Sequence, residues 1–185
     1  WPLELVARCR VAPALMPPIV RTVIGVDPPA SANGTCGIVV CAADADGNAY
    51  VLADCSVAGA SPEGWARAVA DATQDYDADR VVAERNQGGT MVRSVLLAAS
   101  ATLPVELVHA AIGKSARAEP VAALFENGRA FFVGEFAELE AELSALVPGG
   151  YAGENRSPDR ADAMGWAIWA LLLKSKRAVP RIRVL

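Results

Sequence analysis

The chain has 185 residues, of which 53% are hydrophobic and 21% charged, and its net charge is −4. This length fits one domain that can bury a core without disulfides or metal ions. The balance of charged and aliphatic residues, without a repetitive tract, excludes disordered, collagen-like and coiled-coil proteins. The longest apolar stretch, residues 163–173, is well short of the ~20 residues that span a bilayer. We therefore expect a soluble globular protein that does not enter a membrane.

The two ends of the sequence differ from the middle. Residues 1–20 contain Pro13, Pro17 and Pro18 and have no secretory signal pattern, so we interpret them as a linker or as the edge of an upstream domain. Residues 21–175 are predicted to form the folded domain. Residues 176–185 form a basic tail, which binds DNA backbone, contacts a protein or is simply solvated.

Three runs in the first third of the chain have the composition of β-strands. They are residues 21–27, 36–43 and 49–55, and the short connections between the second and third predict an antiparallel meander. Ser61 and Pro62 then begin a helix that ends near Tyr76. Because this helix is a crossover, the next strand, residues 80–84, is expected to lie parallel to an earlier strand.

The remaining elements alternate between helix and strand. They are a helix over 90–100, a strand over 104–109, a helix over 115–127 closed by Gly128, a short edge strand over 130–133, and helices over 136–146 and 157–174. The order βββαβαβαβαα predicts an α/β fold, with a central mixed sheet flanked by helices.

Three acidic residues stand at the ends of predicted elements. Asp27 closes the first strand and Glu84 closes the strand after the crossover, so parallel pairing would bring them about 5 Å apart. Asp162 lies in the first turns of the last helix, on the apolar face that continues to Trp166. Asp159 shares that face, although the helix dipole alone explains an acid there equally well. We expect Ser157 to cap this helix and Pro158 to be its first residue.

Carboxylates brought together in this way predict a particular chemistry. Clustered negative charges repel unless a cation lies between them, and Mg²⁺ or Mn²⁺ prefers oxygen ligands. Two such ions would stabilise the attacking and leaving oxygens of a phosphodiester displacement. The four cysteines show no C-x-x-C pair, so we expect reduced core thiols in a cytoplasmic protein and no zinc site.

Four segments resemble the C-terminal nuclease domain of the large terminase subunit of tailed bacteriophages and related gene transfer particles. The segments are IGVDPPAS from Ile24, VAERNQGGTMV ending at Val92, KSARAEPVAALFENGRAFF from Lys114 and SPDRADAMGWAIWAL from Ser157. The resemblance covers about residues 21–175. It implies an RNase H-like fold and a metal-dependent endonuclease that cuts double-stranded DNA during genome packaging.

The resemblance also assigns roles to residues. Asp27, Glu84 and Asp162 match the three metal-binding acids of that family, with Asp27 expected to bridge two Mg²⁺ or Mn²⁺ ions, and Asp159 matches an occasional additional ligand. The implied partners are double-stranded DNA, an upstream ATPase domain of the same polypeptide, the portal and the small terminase subunit. The implied location is the bacterial cytoplasm, at the procapsid.

Several other polar residues are weaker candidates. Lys114, Arg117, Arg129 and Asn86 are candidate contacts to DNA, although ordinary surface roles explain them as well. His109 is expected to be a partly buried structural residue. The tripeptide that begins at Gly113 matches the end of a P-loop, but Val108 stands where that motif needs glycine, so we expect no nucleotide site.

Two alternatives to a terminase nuclease stay open at this point. One is another nuclease with the same fold, such as a junction resolvase or an RNase H, against which the four segments argue. The other is a non-catalytic module that docks the packaging motor onto the portal. Retention of three mutually repelling acids on one rim argues against that module.

Overall fold

The regular elements follow the alternation expected from the sequence. The computed structural model describes residues 1–31, 33–85, 89–110, 114–147, 149–153 and 157–174, with only the backbone for 114–116. The helices are α1 (Leu3–Arg8), α2 (Pro62–Asp75), α3 (Met91–Ala99), α4 (Lys114–Glu126), α5 (Ala137–Ser144) and α6 (Asp159–Ile168), the last continued by a π-helical turn over Trp169–Leu173. The strands are β1 (Arg10–Val11), β2 (Ile19–Asp27), β3 (Thr35–Asp44), β4 (Ala49–Asp54), β5 (Val57–Ala58), β6 (Arg80–Glu84), β7 (Val105–Val108), β8 (Ala130–Val133), β9 (Leu146–Val147) and β10 (Gly150–Tyr151).

One mixed sheet organises the fold. Its strands lie in the order β1-β8-β4-β3-β2-β6-β7, with β5 paired to β3, while β9 and β10 form a separate hairpin. The antiparallel meander β2-β3-β4 and the parallel pairing of β6 with β2 confirm the predicted topology. α2 begins as predicted, because the Ser61 hydroxyl accepts a hydrogen bond from the Gly64 N–H at 3.1 Å.

Helices cover both faces of this sheet. Side chains alternate along β2, so Ile24 and Val26 pack with α2 and α3 while Val23 packs with the core on the α4, α5 and α6 side. This alternation decides where the end of the strand points. Asp27 lies an even number of residues from Val23, and it therefore faces α6.

The N-terminal segment differs from the expected linker. Leu5, Val6 and Cys9 are buried in the core, and β1 pairs in parallel with β8 through Arg10 and Phe132. The three prolines fall after this segment, in the connection between β1 and β2, so they do not interrupt it. Because β1 lies outside β8, the expectation that residues 130–133 form an edge strand is wrong.

Two further expectations concern cysteines and membranes. All four cysteines are free thiols, and Cys9, Cys36 and Cys41 are buried. Burial of Cys36 and Cys41 agrees with their predicted place in the core, whereas Cys55 is only half-buried. Among the helices of the described part of the chain, none combines the length and apolar character needed to cross a bilayer.

Candidate active site

Two carboxylates lie next to each other at the carboxyl ends of β2 and β6. Val26 is in register with Ala83 on the parallel strands β2 and β6, so the next residues, Asp27 and Glu84, continue that pairing. Each is only 8% exposed. Both belong to the alternating set of residues that faces α6.

α6 reaches these strand ends because two glycines let its backbone approach the sheet closely. A Cβ on Gly25 would lie 1.8 Å from the Ala163 carbonyl oxygen, and a Cβ on Gly37 would lie 2.0 Å from that of Asp159. Any side chain at either position would push the helix away. The sequence analysis did not identify these two residues, although glycine inside a strand often marks such close backbone contact.

The first turns of α6 bring Asp162 to Glu84 through a shared arginine. Arg117 Nη2, from the first turn of α4, lies 3.0 Å from Asp162 Oδ1 and 3.6 Å from Glu84 Oε2. The guanidinium also lies over the Trp166 ring, 5.0 Å from its centroid. The Trp166 indole N–H donates a 2.7 Å hydrogen bond to Glu84 Oε2. Asp162 and Trp166, four residues apart on α6, therefore both engage the end of β6.

Asp159 begins α6 near the end of β2, because Gly37, which is in register with Asp27, lies against the Asp159 backbone carbonyl. Burial raises the pKa of Cys36 well above its usual value, and the negative charges of Asp27 and Asp159 raise it further. Both carboxylates are therefore close to the same thiol on β3. The cluster thus comprises the pair Asp27 and Asp159 and, across the strand ends, Glu84 and Asp162, which we call the carboxylate cluster.

A buried arginine fixes the start of α6. Arg160 contacts Asp54 at 3.1 Å, Glu142 at 3.2 Å and Glu138, so that β4 and α5 both hold this helix turn. Glu142 Oε2 also accepts hydrogen bonds from the backbone N–H groups of Arg160 and Ala161, at 2.9 and 3.1 Å. Burial raises the pKa of Glu142, and these donors oppose that shift.

Glu142 thus takes the place of a local helix cap. α6 begins at Asp159 with Pro158 as N-cap, and that cap residue makes no side-chain hydrogen bond. The helix therefore begins one residue later than predicted, with Pro158 at the N-cap position rather than at the first helical position. The carboxylate from α5 satisfies N–H groups that a helix start otherwise leaves open.

Replacing Arg160 with methionine tests this anchor. We expect the variant to lose about 3–5 kcal/mol of unfolding free energy, because three carboxylates, two of them largely buried, would lose their cation. Urea denaturation followed by circular dichroism measures the loss. Arg67→Met is the matched control, since the Arg67–Glu63 pair is largely exposed, at 68% and 78%, and should contribute below about 1 kcal/mol. Equal losses in the two variants would contradict the anchoring role.

The candidate DNA contacts predicted from the sequence do not lie on one common surface. Arg117 lies inside the carboxylate cluster rather than on an open DNA-facing surface. Arg129 precedes β8, at the end of the sheet opposite the carboxylate cluster, and donates hydrogen bonds to Gly47 and Asn48 in the β3–β4 turn. Lys114 is in α4 with its side chain outside the described atoms. Asn86 and the basic tail also lie outside the described residues.

His109 differs from its expected role. It is exposed rather than partly buried, and it lines a cavity of about 280 Å³ beside the carboxylate cluster. The same cavity is bordered by Arg117, Asp162, Trp166 and Trp169, and most of its wall is apolar. The end of β7 and the face of α6 thus enclose a space directly next to Asp162.

The chemistry of these side chains suits a hard divalent cation, but the side chains do not already surround a coordination site. All four candidate ligands are carboxylates, two of them, Asp27 and Glu84, are buried, and there is no histidine or cysteine among them. Within the described ranges, no group of three or more Asp, Glu, His or Cys side chains is placed to hold a metal ion as it stands. The cation between Glu84 and Asp162 in this structure is the guanidinium of Arg117.

The fold of this chain is similar to that of several solved phage large terminase structures. The nuclease domain of the P22 large terminase is 13% identical with a TM-score of 0.66, over 92% of this chain and 89% of that one. The cobalt-bound large terminase nuclease from thermophilic phage G20c is 16% identical with a TM-score of 0.65, over 89% and 94%. The HK97 bacteriophage large terminase is 15% identical with a TM-score of 0.66, over 90% of this chain but 42% of that one.

These similarities confirm the RNase H-like fold predicted from the sequence. A comparison with curated protein sequences found no significant match. The terminase RNaseH-like domain family, by contrast, matches residues 24–171, a range that includes all four members of the carboxylate cluster. β6 and α6 lie within the match, and so does the end of β2 that carries Asp27. The chain belongs to the terminase RNase H-like domain family.

Proposed function

We propose that this domain is a divalent-metal-dependent endonuclease that hydrolyses phosphodiester bonds of double-stranded DNA. One observation carries the proposal: Asp27 and Glu84 end neighbouring parallel strands, and α6 brings Asp162 to the same edge. Buried acids gathered in this way need a cation, and a polyanionic substrate needs one too. Family membership supports the same conclusion.

Asp27, Glu84 and Asp162 are the residues that would hold Mg²⁺ or Mn²⁺, with Asp159 as a candidate fourth ligand. When bound, two such ions activate water for in-line attack and stabilise the charge on the leaving 3′ oxygen. Asp27, which ends β2 next to the strand that ends in Glu84, would contribute to holding both ions.

The surrounding residues orient these carboxylates. Trp166 donates to Glu84 Oε2 and so fixes which oxygen is available for another partner. Arg160 and Glu142 hold the first turn of α6, which sets the position of Asp162 relative to the strand ends. Small errors in such placement are costly, because a shift of about 1 Å can reduce a rate 10²-fold.

A plasmid-nicking assay tests the proposal. We expect the purified chain to convert supercoiled DNA to nicked and linear forms with Mn²⁺ or Mg²⁺, and to lose this activity in excess EDTA. Zinc should not be required, because the candidate ligands include no sulfur or nitrogen donor.

The matched controls are two aspartate variants. Asp27→Asn removes a proposed ligand, whereas Asp71→Asn removes an exposed carboxylate from α2, on the other face of the sheet. We expect the first to be inactive and the second to cut normally. Full cutting in EDTA, or equal cutting by both variants, would contradict the proposal. A marked preference for four-way junctions over linear duplex would favour a resolvase instead.

The biological setting follows from the same proposal. As part of a packaging terminase, the domain would act on double-stranded DNA in the bacterial cytoplasm, joined to an ATPase domain and working with the portal and small subunit. These partners stay predictions from the sequence resemblance.

A further inference from the structure

Arg117 contacts two of the proposed metal ligands with one nitrogen. Its Nη2 lies 3.0 Å from Asp162 Oδ1 and 3.6 Å from Glu84 Oε2, and all three side chains are largely buried, at 15%, 9% and 9% exposure. We propose that Arg117 is an internal counter-ion that occupies the metal-free site and must leave when a divalent cation binds. This inference rests on the proposed function.

The Arg117 guanidinium and a divalent metal ion cannot both lie between Glu84 and Asp162. Glu84 and Asp162 both carry negative charge away from bulk water, so either a guanidinium or a metal ion between them lowers the repulsion. A guanidinium nitrogen and a divalent ion on the same carboxylate oxygens would repel each other at close range. Metal loading therefore includes the free energy of displacing Arg117.

The surroundings allow this displacement. Arg117 borders the cavity of about 280 Å³ that lies next to Asp162, which is several times the ~30 Å³ that one water molecule occupies in the liquid. The face of Trp166 supports the guanidinium from one side.

This competition predicts an unusual direction for a site variant. Removing a residue that merely supports a metal site weakens metal binding, whereas removing a competing charge strengthens it. We expect Arg117→Met to bind Mn²⁺ at least about tenfold more tightly than the original protein does. A neighbouring charge shifts the proton-binding equilibrium of a carboxylate by a similar factor. Arg117→Lys retains the charge and should bind Mn²⁺ much as the original protein does.

Isothermal titration calorimetry with MnCl₂ measures these affinities directly, without DNA and without turnover. Arg67→Met is the control for loss of a positive charge elsewhere, because Arg67 pairs with Glu63 on the surface of α2, on the other face of the sheet. Its Mn²⁺ affinity should be unchanged. Equal or weaker binding by Arg117→Met would overturn the inference and make Arg117 a structural support.

A second measurement covers the case in which Arg117→Met does not fold. In the original protein labelled with ¹⁵N-arginine, titration with Mg²⁺ should move the Arg117 Nε–Hε resonance, which is assigned by its loss in Arg117→Lys. A resonance unmoved at saturating Mg²⁺ would overturn the inference. If the protein binds Mn²⁺ and cuts DNA while Arg117 stays in place, only this inference fails. If it neither binds Mn²⁺ nor cuts DNA, the proposed function fails with it.

Discussion

Replacing Asp162 with asparagine is expected to abolish DNA cleavage while leaving the fold intact. Its side chain is 9% exposed and contacts the guanidinium that also reaches Glu84. Asparagine has nearly the same shape but lacks the charge that a hard metal ion requires. We expect a loss greater than the 10–100-fold that is typical of residues that only orient a ligand. Nicking rates with Mn²⁺ measure the loss, and circular dichroism checks the fold.

Asp159→Asn is the matched comparison on the same helix face. Asp159 is the first residue of α6. A carboxylate at this position interacts favourably with the helix dipole and stabilises the helix by about 0.3–1 kcal/mol, whether or not a metal binds. We therefore expect measurable cleavage by this variant, with an altered preference between Mg²⁺ and Mn²⁺. If Asp162→Asn cuts normally and Asp159→Asn is inactive, the ligand assignment is displaced by one helical turn.

The strand-end acids were predictable because local pattern and topology agree there. A β-branched run that ends in Asp27 and is followed by two prolines must stop at that residue. The crossover helix α2 then forces the strand that ends in Glu84 to run parallel to it. These two rules alone bring the acids to one edge, and the register of β2 and β6 agrees with them.

The supports of the site were less accessible because they depend on distant contacts. Arg160 meets Asp54, which is 106 residues earlier in the chain, and the cap of α6 comes from α5. Neither the arginine nor Glu142 stands out in its own segment, where each resembles a solvated helix charge. Arg117 was identified only as a candidate DNA contact, since no pattern in α4 indicates that its side chain enters the carboxylate cluster.

The N-terminal segment was missed for a different reason. α1 and β1 are too short to show a hydrophobic period, and nearby prolines favour a linker. Only the packing of Leu5 and Val6 against the rest of the core identifies the segment as part of the domain. Length rather than composition limited the prediction here.

Replacing Gly25 with alanine is expected to lower stability and activity together. It lies two residues before Asp27 on the same face of β2, and a Cβ there would meet the backbone of α6 at Ala163 and Ala167. Because backbone atoms cannot rotate aside, Gly25→Ala must move the helix or the strand. We expect a loss of about 3 kcal/mol or more in unfolding free energy, at the upper end for overpacked cores. Urea denaturation measures the loss.

The same displacement separates Asp162 from the strand ends, so any folded Gly25→Ala protein should also cut DNA at least about 10²-fold more slowly. Gly165→Ala is the matched control for stability, because a Cβ at that position on α6 meets nothing within 4 Å. Alanine is the better helix former, and this variant should be as stable as the original protein or more stable by about 0.5–1 kcal/mol. A Gly25→Ala protein as stable as the Gly165→Ala protein would mean that α6 does not rest on β2 through this glycine, and the placement of Asp162 would then need another cause.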